Sequence, residues 1–272
     1  MPTRDIHSPG STSRIPSATD AEVLLVEDNL INQKLSRLML EKRGFTVTIA
    51  DNGQDALEAL AKHSYVVVLM DIRMPVMDGL QAIQRIRADA ALRSSLVIAT
   101  SASILDFEKT QALDAGFDHF LTKPIDYDAL QNILVDERAI QPVTQNEEPE
   151  RNEDYFIQGF DFSKAIDTLG GDPEFFYSLS NDYINIYGNA DEAFKNFLKD
   201  QDIAQAERLV HNIAGLAATF SAKNLRLIAR KIEREFKADN EVSEEDITTF
   251  VQELGNLAAA FKIFHERYKP EA

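Results

Sequence analysis

Short, largely apolar runs, each followed by an amphipathic stretch, constrain this chain more than any other feature. Residues 23–26, 46–50, 66–70, 96–100 and 117–121 read as strands. The segments 30–43 and 55–62, one after Gly79, one from about Ile104 to Ala115 and one after Asp126 read as helices. A strand with one face in water alternates apolar and polar residues, whereas a strand covered on both faces does not. The runs VLLV and VVVLM do not alternate, so residues 21–140 predict a doubly wound α/β domain around a parallel sheet. Gly44 and Gly116 fall where helices end, at positions that favour a left-handed residue.

The pattern stops at residues 141–155, where QPVTQNEEPERNED offers almost nothing to bury and reads as an acidic linker. Beyond Phe160 the strand signals vanish. Asp172-Pro173 reads as an N-cap with proline at the first helical position, Asp202 caps another helix, residues 223–237 form a further one, and Ser243 with Asp246 makes a capping box. Gly188 interrupts the stretch 173–199 and predicts a bend or break. Long helices joined by short loops predict an antiparallel bundle over 156–270.

At 272 residues the chain can form two domains, each with its own core. No apolar run approaches the roughly 20 residues of a membrane span. Residues 1–20 lack an apolar secretory core and read as a disordered tail. The absence of cysteine excludes disulfides and thiolate metal sites and fits a cytoplasmic protein. A net charge of -17 opposes binding to a nucleic acid backbone. The eleven glycines never form GxGxG or GxxxxGK, so the sequence holds no such nucleotide loop.

In an open parallel sheet, ligands gather beyond the carboxyl ends of the strands. There the first strand presents Glu27 and Asp28, the third Asp71, the fourth Thr100 and Ser101, and the fifth leads to Lys123. Two carboxylates about 5 Å apart repel by roughly 3 kcal/mol at an effective dielectric of ~20, so the cluster calls for a cation. Mg²⁺, which takes a few carboxylate oxygens plus water, is the simplest one, with Lys123 as a second counter-charge. A carboxylate so placed is equipped to accept a phosphoryl group, because the loose transition state carries its charge on peripheral oxygens that cations and the Ser101 hydroxyl can stabilise.

The stretches VEDN (26–29), MDIRMPVMDG (70–79), IATSA (98–102) and LTKPI (121–125) resemble response-regulator receiver domains, and EDNLINQ (27–33) is similar to receivers of hybrid sensor kinases. The resemblance covers about residues 22–138 and implies a flavodoxin-like five-stranded sheet of order 2-1-3-4-5. It makes Asp71 the phosphorylated residue, with Mg²⁺ bound by Asp28, by Glu27 through water, by Asp71 and by the Arg73 backbone carbonyl. Lys123 would contact the phosphoryl group. The family's spacing from hydroxyl to lysine selects Ser101 over Thr100 as the switch hydroxyl, and Phe120 falls at the switch aromatic.

On the helix after Asp202, residues Ala206, Leu209, Val210, Ile213, Ala217 and Phe220 share one face. His211 lies roughly 140° from that stripe and is expected to point outward beside the small residues Gly215 and Ala218. Small neighbours leave room for in-line attack by the imidazole. The run HNIAGLAATFSAKNL (211–225), followed by Ala229 and Ile232-Glu233 and with GDPEF at 171–175, resembles the histidine phosphotransfer (Hpt) domain, which implies a four-helix bundle carrying phosphoryl on His211. Where that family commonly has lysine three residues on, this chain has Ala214; Arg208, one turn earlier, could supply the charge.

The combined resemblance implies a phosphorelay intermediate without its own ATP-binding kinase domain, and not an enzyme in the ordinary sense. Its expected partners are an upstream sensor histidine kinase and a downstream receiver docking around His211. Flow in either direction, within one molecule or between two, fits the linker. Two other readings stand beside it. One is a non-catalytic adaptor or phosphate sink. The other is a Mg²⁺-dependent phosphatase of the dehalogenase type, disfavoured because Arg73 occupies the place of its second aspartate. Met1 suits a free-standing protein, and a segment of a longer hybrid kinase could begin the same way.

Overall fold

The computed structural model describes residues 21–102, 106–137, 155–157 and 159–268. The tail expected over 1–20 and nearly all of the linker expected over 141–155 lie outside them. The first half contains β1 (Glu22–Val26), α1 (Leu30–Glu41), β2 (Thr46–Ala50), α2 (Gly53–Leu60), β3 (Val67–Asp71), α3 (Gly79–Ala88), β4 (Val97–Ser101), α4 (Asp106–Ala115), β5 (His119–Thr122) and α5 (Tyr127–Asp136). Its strands form one parallel sheet in the order β2-β1-β3-β4-β5, as the resemblance implied.

The absence of alternation has the expected physical cause. Val23, Leu25, Val67, Leu69 and Ile98 pack on one side of the sheet with Ile31, Leu35 and Leu130 from α1 and α5. Leu24, Val26, Val68, Met70 and Ala99 pack on the other side with Ala56, Ile83 and Ala112 from α2, α3 and α4. The two edge strands, β2 and β5, are partly exposed along most of their length. Helix starts follow the side-chain chemistry: Asn29, Asn52, Asp78 and Asp126 each accept backbone N–H groups from the first turn.

The second half opens with a small hairpin, β6 (Phe156–Ile157) and β7 (Phe160–Asp161), and a short α6 (Phe162–Thr168), none of which the sequence reading anticipated. Then come α7 (Pro173–Tyr187), α8 (Ala190–Lys199), α9 (Ile203–Thr219), α10 (Lys223–Lys237) and α11 (Glu244–Arg267). The stretch broken at Gly188 becomes α7 and α8, and Asp172, Asp202 and Ser243 cap α7, α9 and α11 as expected. The helices close around an aromatic core of Phe162, Phe176, Tyr183, Phe220, Phe261 and Phe264, all buried. The Phe220 and Phe261 ring centroids lie 4.8 Å apart with planes at 73°, an edge-to-face arrangement.

The two halves pack together. One continuous apolar cluster contains Leu35 and Met39 of α1 together with Phe176, Leu179 and Tyr183 of α7. At its margin Lys34 pairs with Asp182 at 2.5 Å, Lys42 with Asp172 at 3.3 Å, and Asn29 donates to the Tyr187 hydroxyl at 2.7 Å. Among the described residues, no helix is long and apolar enough to cross a membrane.

Candidate functional site

Strand order brings the acidic residues together. Because β1 lies beside β3, Glu27 and Asp28 just past Val26 stand next to Asp71 at the end of β3. One carboxylate oxygen from each of the three lies within 4.8 Å of the others. Lys123 follows β5, its backbone N–H donating to the Ser101 carbonyl at 2.7 Å. Its ammonium group bridges Glu27 and Asp71, the latter at 2.5 Å. The free Asp71 oxygen Oδ1 accepts the Arg73 backbone N–H at 3.1 Å. Gly79 is required here, since a Cβ would come within 2.4 Å of the Asp71 carbonyl oxygen, so only glycine lets α3 start so close to the end of β3.

Burial sets the electrostatics. It pushes the Glu27 carboxyl up to about 7 against the pull of Lys123, with the charge of Asp71 adding to the rise. Asp28 also rises through burial and the nearness of Asp71, opposed by Arg208. Burial alone would lower Lys123, but Asp71 and Glu27 reverse this and keep it an ammonium ion well above its ordinary range. The Ser101 hydroxyl donates to Glu108 Oε2 at 3.3 Å, and Phe120 is half-buried on the face of the sheet covered by α2, α3 and α4.

His211 departs from expectation. It does turn away from the helical core, but it is only 6% exposed instead of open to solvent. The α/β domain covers its face of α9: a Cβ on Gly215 would lie 3.7 Å from that of Ala102. Ile72, Arg73, Met74 and Pro75 line a cleft of about 490 Å³ together with Glu207, Arg208 and His211. Ala214 is fully buried, and Arg208 reaches across to Asp28 at 2.8 Å. The charge expected to accompany His211 is therefore turned toward the acidic cluster.

Sequence reasoning missed Glu233 as the partner of that histidine. Its Oε1 lies 2.9 Å from His211 Nδ1, and Arg230 and Arg73 approach the same carboxylate at 2.5 and 2.9 Å. Burial would raise the Glu233 carboxyl, but the hydrogen bond and charge of His211, with Arg230 and Arg73, outweigh it and hold the group far below the usual carboxylate range. An ionised carboxylate only accepts, so Nδ1 carries a proton, and in the neutral imidazole the lone pair is on Nε2. The available signal was the spacing Arg230, Glu233, Lys237 on one helix face. His119 and His265 are engaged elsewhere, with Glu137 and Ser180.

A depressed carboxyl stabilises the fold above its unfolded value and loses that contribution as pH falls toward its folded value. Glu233→Gln is therefore expected to be less stable than the wild type at pH 7, with the gap shrinking below the ordinary glutamate value of 4.5. Denaturant unfolding from pH 7 to pH 3 checks this. A gap independent of pH would show that Glu233 carries no such charge.

Residues 23–135 match the model of the response regulator receiver domain, and residues 187–260 match that of the Hpt domain. The chain thus joins a receiver domain to an Hpt domain. Over 117 residues it is 38% identical to hybrid signal transduction histidine kinase M of Dictyostelium discoideum, covering 41% of this chain and 5% of that protein. Over 263 residues it is 27% identical to sensor protein GacS of Pseudomonas syringae pv. syringae, covering 94% of this chain and 28% of that protein. The chain therefore spans less than a third of either relative. Among solved structures, the receiver domain of sensor histidine kinase PA1611 from Pseudomonas aeruginosa PAO1, with a magnesium ion coordinated in its active site cleft, is 37% identical over 43% of this chain and 97% of that one, with a TM-score of 0.41.

Proposed function

We propose that the chain is a phosphorelay intermediate in which Asp71 accepts a phosphoryl group from the phosphohistidine of a separate kinase domain and exchanges it with His211. The observation that carries this is the shared cleft: His211, its Nδ1 held by Glu233, faces the residues that immediately follow Asp71. In the first step the donor's P–N bond breaks and a P–O bond forms to an Asp71 carboxylate oxygen. In the second that P–O bond breaks and a P–N bond forms to His211 Nε2, restoring the carboxylate. A downstream receiver is the further partner of His211. In this reading the receiver occupies 21–140, the linker 141–155 and the Hpt domain 156–270, and the protein works in the cytoplasm.

The donor set suits a hard divalent cation, since Glu27, Asp28 and Asp71 offer oxygen ligands only and their ligand atoms cluster within 4.8 Å. With the Arg73 carbonyl they would hold Mg²⁺, which supplies positive charge to offset that of the transferring phosphoryl group. Lys123 already binds Asp71 and is set to accompany the phosphoryl oxygens, while Ser101 can turn from Glu108 to donate to one of them. Phe120 would follow that movement as the switch aromatic.

Incubating the whole chain with a small acyl phosphate donor and Mg²⁺ tests the assignment. The wild type should gain an alkali-stable phosphohistidine, and His211→Gln should keep only the alkali-labile aspartyl phosphate. Equal alkali-stable label in both proteins, or none in the wild type, would remove His211 from the relay.

A further inference from the structure

Each domain contains more acidic than basic side chains, so at long range the two repel. Their docking around His211 therefore depends on local charge order, and beside the cleft that order is strict. Arg73 of the receiver places Nη1 3.1 Å from Glu207 and 2.9 Å from Glu233 of the Hpt domain, and Nη2 3.2 Å from Glu108 of its own domain. Glu108 in turn meets Lys237 of the Hpt domain at 2.5 Å, and Lys237 returns to Glu233 at 3.8 Å. Anion and cation alternate through the group, and it closes on the carboxylate that holds His211.

We propose that this ring is the specificity element by which the receiver and the Hpt domain of one chain select each other for phosphoryl transfer. The inference rests on the relay reading above and names the partner that reading leaves open. Fully exposed ion pairs add little affinity, but these groups are partly desolvated, with side-chain exposures of 28% for Arg73, 13% for Glu108 and 3% for Glu233. There the larger effect is the penalty on a mismatch. A foreign receiver with a neutral or acidic residue in place of Arg73 would set Glu207 and Glu233 against Glu108 with one cation too few. The linker adds to the selection by holding the matched pair at a high effective concentration. Arg73 acts here through Glu233 and is a positioning residue, not a reacting group.

The test follows passage of phosphoryl from loaded Asp71 to His211 in the whole chain, as the growth of alkali-stable label. The wild-type rate is expected to be first order and independent of chain concentration. Glu207→Lys, which sets a second cation against Arg73, is expected to slow it at least about tenfold. Arg73→Gln is expected to slow transfer in the wild-type background yet speed it in the Glu207→Lys background, a reversal of sign that loss of folding cannot produce. Additive effects of the two substitutions, or a rate proportional to chain concentration, would overturn the proposal while leaving the relay intact. A wild-type chain that loads Asp71 but never labels His211 would overturn both.

Discussion

Replacing Asp71 with asparagine is expected to reduce labelling by a small phosphodonor to background. The amide has nearly the shape of the carboxylate but lacks the anionic oxygen that attacks phosphorus, and no other described carboxylate at the sheet edge is placed to substitute. Glu27 accepts from Lys123, Asn29 and Asn32, and Asp28 is paired with Arg208. The fold should survive, because Lys123 keeps Glu27 as a partner and a neutral group at 71 relieves repulsion within the cluster. Intact-protein mass spectrometry after incubation with the donor and Mg²⁺ reads the result directly. Stoichiometric labelling of the variant would place the acceptor elsewhere.

The largest stability loss is expected at Phe261→Ala, about 3–5 kcal/mol. This ring is fully buried and stands between Phe162 at 5.4 Å, Tyr183 at 5.5 Å and Phe220 at 4.8 Å, so its removal opens a cavity that three other aromatic groups cannot fill without leaving their own contacts. Urea unfolding followed by near-UV absorption of the tyrosines reports mainly on the helical half, where Tyr177, Tyr183 and Tyr187 lie on α7. A loss below about 1 kcal/mol would mean that this core repacks.

Much of the architecture was legible because it follows from local rules. Unbroken apolar runs told of a sheet covered on both faces, and Asp172, Asp202 and Ser243 announced helix starts that the structure places where they were expected. The acidic cluster was legible because parallel strands present their carboxyl ends on one side, which makes a position in sequence a position in space. What escaped depended on how the halves meet. The orientation of His211 on its helix could be counted, but its covering by Ala102 and neighbouring residues could not, since no periodicity within α9 records what packs on its outer face. Glu108 escaped for the same reason, resembling an ordinary solvated acid until Lys237 of the other half approaches it, whereas the pairing of Glu233 with His211 depends on how α10 packs against α9. The hairpin β6–β7 is made of two-residue strands, too short for a period to show.

The covered imidazole also limits traffic. With one nitrogen committed to Glu233 and its outer face occupied by the chain's own sheet domain, His211 offers a single doorway. In the proposed relay an outside protein would reach that doorway only by displacing the resident half, so visitors would take turns.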